Sequence, residues 1–408
     1  MEPETFSGPG RVDQSRGYPF YIPKGLVRSL DDLNLSEETL FYLAEAESAL
    51  GNLSGTGRNL PNPQLLISPY MKREAVLSSK IEGTKASLTD LYQYEVDEEV
   101  TDRVGDVQEV KNYSQALEYG QKKIREGEGI DLDLIKELHE ILLDDVTPER
   151  GSDINAGTFR NVQNHIGGTD LETATYIPPA PDRVEGLMED LMRFIDNPPK
   201  MSDLINVGLI HYQFEAIHPF ADGNGRIGRL LILLYLMDRD KLSEPLLYLS
   251  AYFNKNRQGY YDHLLDLSQE GDFDDWLKYF LKGIKEQAED ALERAKKIDE
   301  LRESYITKMR EEGRSDSYVR AVEFIFEKPV FTINDMSSDT ENMSYNTANR
   351  VVKELVEDEI ISQVGERRRN KRYKCQDLLD ILEEEDMSFE DEETRQISLT
   401  GTVAQDDE

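Results

Sequence analysis

Apolar residues recur at three- and four-residue spacings along most of this chain, whereas stretches that alternate in period two are few and short. That pattern selects packed helices over sheets. Ser36-Glu37-Glu38 opens a predicted helix with Leu40, Leu43, Ala46 and Leu50 on one face and Gly51 at its end. A loop with Pro61 and Pro63 follows, and a second helical stretch is predicted from about Met71. Leu134, Ile135, Leu138, Ile141 and Leu142 mark another face. Val184, Leu187, Met188, Leu191 and Ile195 mark one that stops at Asn197-Pro198-Pro199. Further helices are predicted near 202–216, 226–239 and 256–270, with a long one from Asp274 to Met309. A chain of 408 residues exceeds one core and implies two or three domains. The expectation is a mainly α body over residues 18–300.

The flanks read differently. Residues 1–17 are polar and Gly/Pro-containing, which predicts a disordered start. Arg310 to Ser317 has the composition of a linker. Beyond it come a helix over Tyr318–Phe326, a second after Thr332, and a third capped by Ser344. The third turns Ala348, Val351, Val352, Leu355 and Val356 inward. Ile360-Ile361 and Tyr373 then flank a basic turn, Arg367 to Arg372. Three helices and a two-stranded wing over 310–382 predict a winged helix-turn-helix. The acidic, low-complexity stretch 383–408 predicts a disordered tail.

The formal net charge of −35, from 82 acidic against 47 basic residues, points to adaptation to high salt. A surface so acidic repels nucleic acid and anionic lipid except where basic residues cluster. Arg367 to Arg372 is such a cluster, so a DNA partner through the wing is weighed against docking of a protein. Glu354, Glu357 and Asp358, on or just after the predicted recognition helix, count against base reading. Cys375 is the only cysteine, which excludes an intrachain disulfide and a cysteine metal cluster. The longest apolar stretch, Leu230 to Met237, is too short to span a bilayer. Met1 to Gly17 has neither a basic n-region nor an apolar h-region. The expected location is cytoplasmic, with no membrane partner.

The segment richest in chemistry is His218-Pro219-Phe220-Ala221-Asp222-Gly223-Asn224-Gly225-Arg226-Ile227-Gly228-Arg229. Gly223 and Gly225 allow a tight turn whose N–H groups converge at a helix N-terminus, an anion site. Arg226 and Arg229, three apart on that helix, can both reach phosphate oxygens. Asp222 beside the turn can hold a hard cation such as Mg²⁺. His218 has the chemistry of a general base for a hydroxyl. Each residue alone has a structural explanation, but the four features within a dozen positions do not. The ordinary P-loop pattern is absent, and none of the five histidines pairs with another at zinc-ligand spacing.

This stretch resembles the signature of Fic proteins, His-Pro-Phe-x-Asp/Glu-Gly-Asn-Gly-Arg-x-x-Arg, at every fixed position, within a similarity over roughly residues 18–300. Ser78-Ser79-Lys80-Ile81-Glu82-Gly83 resembles the family's inhibitory pattern in an N-terminal region over 18–125. Arg160-Asn161-x-x-Asn164 and Ala174-Thr175-Tyr176-Ile177-Pro178-Pro179 look like its substrate-docking flap, a short β-hairpin in a core over 126–300. His165 stands where the family leads one to expect an aromatic such as Trp. Tyr252, Asn256, Tyr260 and Tyr261 fall where Fic proteins build the nucleoside pocket. The resemblance implies AMP transfer from ATP to a Tyr, Thr or Ser hydroxyl of a target protein. His218 would be the base and Asp222 the Mg²⁺ ligand. Gly223, Asn224, Gly225, Arg226, Ile227, Gly228 and Arg229 would hold the triphosphate. Thr175, Tyr176 and Ile177 would dock the target as an added strand. Ser78, Glu82 and Gly83 would inhibit, Glu82 by pairing with Arg229. Other readings stay open: another nucleotide, removal of AMP, or a nucleotide-sensing transcriptional regulator. A homodimer burying an N-terminal helix is a further expectation.

Overall fold

The computed structural model describes residues 1–59, 64–96, 104–144, 155–365 and 370–384. The chain enters through an antiparallel hairpin, β1 (Gly10–Asp13) and β2 (Phe20–Pro23), in the register Gly10 opposite Pro23. Five helices follow: α1 (Glu37–Asn59), α2 (Gln64–Ile81), α3 (Leu88–Val96), α4 (Val104–Arg125) and α5 (Leu132–Leu142). Beyond an irregular stretch come α6 (Pro181–Asp196), α7 (Asp203–Ile217), α8 (Asn224–Asp238), α9 (Ser250–Lys255), α10 (Arg257–Glu270) and α11 (Phe273–Glu311). The C-terminal unit runs α12 (Asp316–Glu327), β3 (Val330–Thr332), α13 (Ile333–Asp339), α14 (Tyr345–Glu357), β4 (Ser362–Val364), β5 (Arg372–Lys374) and α15 (Gln376–Glu383). The fold is mainly α, as the periodicity predicts.

α7 and α8 lie at the centre. Both are buried on nearly every side, α7 from Leu204 to Ile217 and α8 from Asn224 to Met237 apart from Gly225. Helices apolar all round must be enclosed by others, and α6, α11, α4, α5 and α2 wrap the pair. Local signals set several boundaries. Asp131 caps α5 through the Leu134 N–H at 2.8 Å, and Ser202 caps α7 through Leu204 at 3.1 Å. α6 stops at Asn197, before the prolines.

Gly51 does not end α1. The helix continues to Asn59 because it lies along α11, burying Ala46, Ala49, Leu50 and Leu53. That packing outweighs the penalty of about 1 kcal/mol for glycine inside a helix. α2 likewise begins at Gln64, ahead of Met71, with Pro69 inside it. The predicted disorder of residues 1–17 is corrected too. Ser7 N–H donates to Gln269 O at 2.7 Å, the Met1 amino group bonds Ala174 O, and β1 pairs with β2. Apolar Phe20 and Tyr21 anchor this hairpin in the body, where they are 2% and 0% exposed.

The expected linker shrinks to residues 312–315, because α11 and α12 share one core with the body. α12 and α15 pack on α2, and Arg294 of α11 donates to Ile381 O at 2.6 Å. In place of a two-stranded wing, β3, β5 and β4 form a three-stranded antiparallel sheet in that order, with Phe331 opposite Tyr373. α15 buries Leu378, Leu379 and Leu382 just where the acidic tail was expected to begin. Residues 385–408 of that tail, and Arg367 to Arg369 of the basic turn, lie outside the described residues. Among the described residues, no helix is long and apolar enough to cross a membrane.

Trp276 and Cys375 are the chain's single tryptophan and single cysteine. Trp276 is 1% exposed in the body, and Cys375 is 0% exposed in the C-terminal unit with its thiol pushed up to about 11 by burial. One continuous core predicts that tryptophan fluorescence and thiol reactivity change together in a denaturant titration. Two separate midpoints would show that the units unfold independently.

A candidate phosphate site

The loop between α7 and α8 is shaped from within. His218 ends α7 in the left-handed region at φ 51°. Asn224 then closes the loop with its side chain, accepting from Phe220 N–H at 2.8 Å and donating to Phe220 O at 2.9 Å. The Asn224 side chain thus shapes the loop through Oδ1 and one of its two Nδ2 hydrogens. Gly223, at φ 78°, caps α8, and its N–H donates to Asp222 Oδ1 at 2.6 Å. Ile227 is the first residue whose N–H bonds back into the helix, to Gly223 O at 3.1 Å. The N–H groups of Asn224, Gly225 and Arg226 precede that first bond and point out of the helix start, where the dipole favours an anion. Ile227 itself is 1% exposed, so only its backbone belongs to this turn.

An anion is already there. The Glu82 carboxylate stands over the helix start so closely that a Cβ on Gly225 would meet Glu82 Oε1 at 2.5 Å. The same oxygen accepts from Arg229 Nη2 at 2.8 Å. Ser78, one turn back on α2, accepts from Arg229 Nε at 2.8 Å through Oγ and from Nη2 at 3.0 Å through its carbonyl. α2 ends at Ile81, so Glu82 belongs to the closing turn, and Gly83 follows at φ 101°. Burial works to raise the Glu82 pKa, but Arg229, by charge and hydrogen bond, and then Arg226 outweigh it, and the carboxyl lies below its usual value.

Arg226 is held as well. Its Nη1 lies 3.2 Å from Glu109 on α4, which also accepts from Thr84 Oγ1 at 3.1 Å. Sequence reasoning missed Glu109, 117 positions from Arg226, because nothing local marks it. Arg226 Nε and Arg229 Nη1 are buried with no partner among the described residues. Buried guanidinium donors left open at a helix start suit phosphate oxygens.

His218 Nδ1 is buried without a hydrogen-bond partner, 4.0 Å from Glu215 Oε2. Burial, then the charge of Arg160, pushes the imidazole down to about 4, so it is neutral at neutral pH. Burial pushes Glu215 up to about 8. Glu215 precedes His218 by three on α7, a spacing that could have flagged it. His139 was also missed: its ring stacks on Phe220 at 3.8 Å. Nδ1 accepts from Gly157 N–H at 3.0 Å, so Nε2 carries the proton donated to Asp222 O at 3.0 Å. For Mg²⁺, Asp222 offers one carboxylate, and no cluster of three acidic, His or Cys side chains forms a metal site among the described residues. A single carboxylate would suit a hard cation that keeps most of its water, such as Mg²⁺.

The flap closes by a single bridge, Ile166 with Tyr176, whose N–H and C=O groups exchange bonds of 2.8 and 3.1 Å. Thr175 is exposed; Tyr176 and Ile177 are buried. The Tyr176 hydroxyl donates to Ala216 O at 2.7 Å, and Ile177 O accepts from Tyr21 N–H at 2.8 Å. Of the three residues expected to dock a target, two are therefore engaged by the body. Arg160 Nε donates to His218 O at 2.8 Å and Asn164 Nδ2 to Phe220 O at 3.0 Å, which ties the flap to the loop. Asn161 and His165 have no described role there.

The nucleoside pocket is placed differently. Tyr260 is 1% exposed, stacks on Phe253 at 4.3 Å and meets His211 Nε2 at 2.8 Å, which makes it core rather than pocket wall. Its phenol needs a partner when buried, and His211 supplies one. Asn256 caps α10 through the Gly259 N–H at 3.0 Å. Tyr252 and Asn256 do line one open cleft of 500 Å³, while Tyr261 reaches Ile81 O at 3.3 Å beside Glu82.

Comparison with known proteins meets this geometry. Residues 40–122 match the family model described as Fic/DOC family N-terminal, and residues 129–236 match the one described as Fic/DOC family. With the helical fold, these matches support a Fic-domain protein. Over 173 residues the chain is 30% identical to proteins named protein adenylyltransferase Fic from Drosophila ananassae and Drosophila melanogaster. That similarity takes in 42% of this chain and 31% of theirs, so the chain spans about a third of those relatives. Among solved structures, a Fic family protein from Desulfovibrio desulfuricans G20 superposes with a TM-score of 0.54 at 21% identity, over 84% of this chain and 97% of that one. Residues 134–508 of Fic-1 from C. elegans give 0.51 at 20% identity, over 63% and 74%. These likenesses bear on the fold alone.

If Glu82 holds the anion position, Glu82→Ala should tighten pyrophosphate binding by about tenfold or more, the worth of one charge-assisted hydrogen bond. Calorimetry on both proteins reads this, and equal affinities would place the anion elsewhere.

Proposed function

We propose that this protein transfers AMP from ATP to a hydroxyl side chain of a target protein, and that Glu82 restrains the transfer. The observation that carries the reading is the position of Glu82, bonded to Arg229 and seated on the helix start where a phosphate would sit. The likeness to proteins named protein adenylyltransferase supplies the nucleotide.

On this reading His218, neutral and adjacent to the loop, takes the proton of the target hydroxyl. The oxygen forms a bond to the α-phosphorus, the bond to the β-phosphate breaks, and pyrophosphate leaves. The N–H groups at the start of α8 hold the α-phosphate oxygens as charge moves. Arg226 and Arg229 orient the departing phosphates once Glu109 and Glu82 release them. Mg²⁺ at Asp222 would supply charge neutralisation. Rate then comes from positioning, and a displacement near 1 Å costs on the order of 10²-fold. While Glu82 keeps Arg229, the triphosphate is held off line. Thr175, the exposed member of the flap strand, offers backbone to an extended target segment. Residues 310–382 are read as a winged helix, by their order of helices and strands.

The deciding experiment is labelling with α-³²P-ATP and Mg²⁺. Glu82→Gly should label itself or a lysate protein strongly, wild type weakly, and Glu82→Gly/His218→Ala not at all. Label absent from all three would move the reading to another nucleotide, to AMP removal or to a sensor.

Acidity gives a second test. A His218 pKa near 4 leaves the base neutral above that value. Labelling by Glu82→Gly should hold from pH 8 to 5, about one and a half units either side of the usual histidine value, and fall only toward pH 4. Removing Glu82 takes away a charge that raises the His218 pKa, so the fall does not move upward. A limb centred near the usual value of about 6.5 would overturn the assignment.

A further inference from the structure

α2 carries a second carboxylate in line with Ser78 and Glu82. Positions 74, 78 and 82 are spaced by four, so they stack along one side of the helix and its closing turn. Glu74 is only 3% exposed. Its Oε1 accepts from the Tyr113 hydroxyl of α4 at 3.0 Å and from the hydroxyl of Ser250, which opens α9, at 2.5 Å. Its Oε2 is buried with no partner among the described residues. Glu74, Tyr248 and Arg229 line one void of 10 Å³, room for a single water at most. The proposed transfer gives this carboxyl no part.

That transfer leaves Arg229 with a difficulty. Glu82 has to leave before a phosphate takes its place, and a guanidinium so enclosed needs a counter-charge in the interval. Ser78 offers only neutral acceptors. Two further carboxyls feel Arg229, and burial pushes both up, Glu74 to about 7 and Glu215 to about 8. They differ in how the ionised form is supported. Glu74 receives two hydroxyl donors, and Ser250, Arg229, Tyr113 and Arg73 all act against its burial. Glu215 Oε1 is buried without a partner among the described residues, and Oε2 stands 4.0 Å from His218 Nδ1. Hydroxyl donors favour a carboxylate, and burial without them favours the acid.

We propose that Glu74 is a positioning residue for Arg229, the reserve counter-ion that holds the guanidinium between release of Glu82 and arrival of a phosphate. It touches no reacting atom and acts only through Arg229. Its bonds to Tyr113 and Ser250 pin α2 to α4 and α9, so the carboxylate stays still while the partner at the end of the helix changes. The inference rests on the reading of Glu82 as a restraint at a phosphate site, and neither the nucleotide nor the target enters it.

Thermal unfolding of the full chain, followed by Trp276 fluorescence, compares wild type, Glu74→Gln, Glu82→Gln and the double variant. Gln keeps the shape and one acceptor of each side chain and removes the charge. With Glu82 in place, Glu74→Gln should move the midpoint by no more than about 2 °C. Together the two changes should lower it by on the order of 5 °C beyond the sum of the single losses, because Arg229 is then buried unpaired. Bound pyrophosphate, which brings the missing charge, should abolish that excess. A tie to Tyr113 and Ser250 alone costs the same with or without Glu82, so losses that add overturn the proposal. An excess that bound pyrophosphate leaves standing overturns it too. So does an excess found with Glu215→Gln in place of Glu74→Gln, or a double variant that folds neither alone nor with pyrophosphate. Pyrophosphate that shifts none of the four proteins would count against the phosphate site, and the coupling would still decide on Glu74.

Discussion

Arg229 is the group on which the rest of the site depends. Its side chain is only 2% exposed, and a guanidinium so enclosed must have an acceptor for its charge. Ser78 provides two neutral acceptors and Glu82 the charge. A phosphate at the start of α8 would provide the same charge in place of Glu82. On the proposed function, the structure with Glu82 in place and one with a nucleotide bound would be two answers to one desolvation problem, with Glu82 and a phosphate as alternatives. The charge balance around Arg229 also explains Glu215. Two carboxylates facing one arginine cannot both ionise cheaply, and burial keeps Glu215 protonated while Glu82 remains ionised.

Arg226 repeats the arrangement with Glu109, and the two pairs are joined through the turn after α2, where Thr84 donates to Glu109. The loop itself is held independently of both pairs. Asn224, Arg160, Asn164 and His139 all bond backbone groups of residues 218–222, so the helix start keeps its shape whichever anion it faces. A rigid cradle with exchangeable counter-ions is what preorganised electrostatic binding requires.

α2 connects this site to the remainder of the molecule. It packs on α4, α8 and α9 within the body and on α12 and α15 of the C-terminal unit. α11 runs along both units and contributes Trp276 to one and Ile306 to the other, so the core passes between them without a break. The helix that ends in the Glu82 turn is therefore a shared wall.

Much of this was legible beforehand because it is local. The helical faces on α5, α6 and α14, the cap at Ser344, and the turn at Gly223 depend on neighbours a few positions apart. The phosphate loop is equally local, with twelve consecutive residues carrying turn, dipole, arginines and histidine. Sequence reasoning erred where distant packing overrides propensity. α1 passes through Gly51 because α11 supports it, residues 1–17 are ordered because Phe20 and Tyr21 find a buried site, and Tyr260 turns inward to His211. The amino-acid sequence by itself determined which segments are helices and which loop can hold a phosphate, because those follow from side-chain period and backbone stereochemistry. Only the tertiary structure decided which carboxylate meets which arginine. Those contacts join residues far apart in the chain, 147 positions for Glu82 and Arg229, and burial then sets their charge.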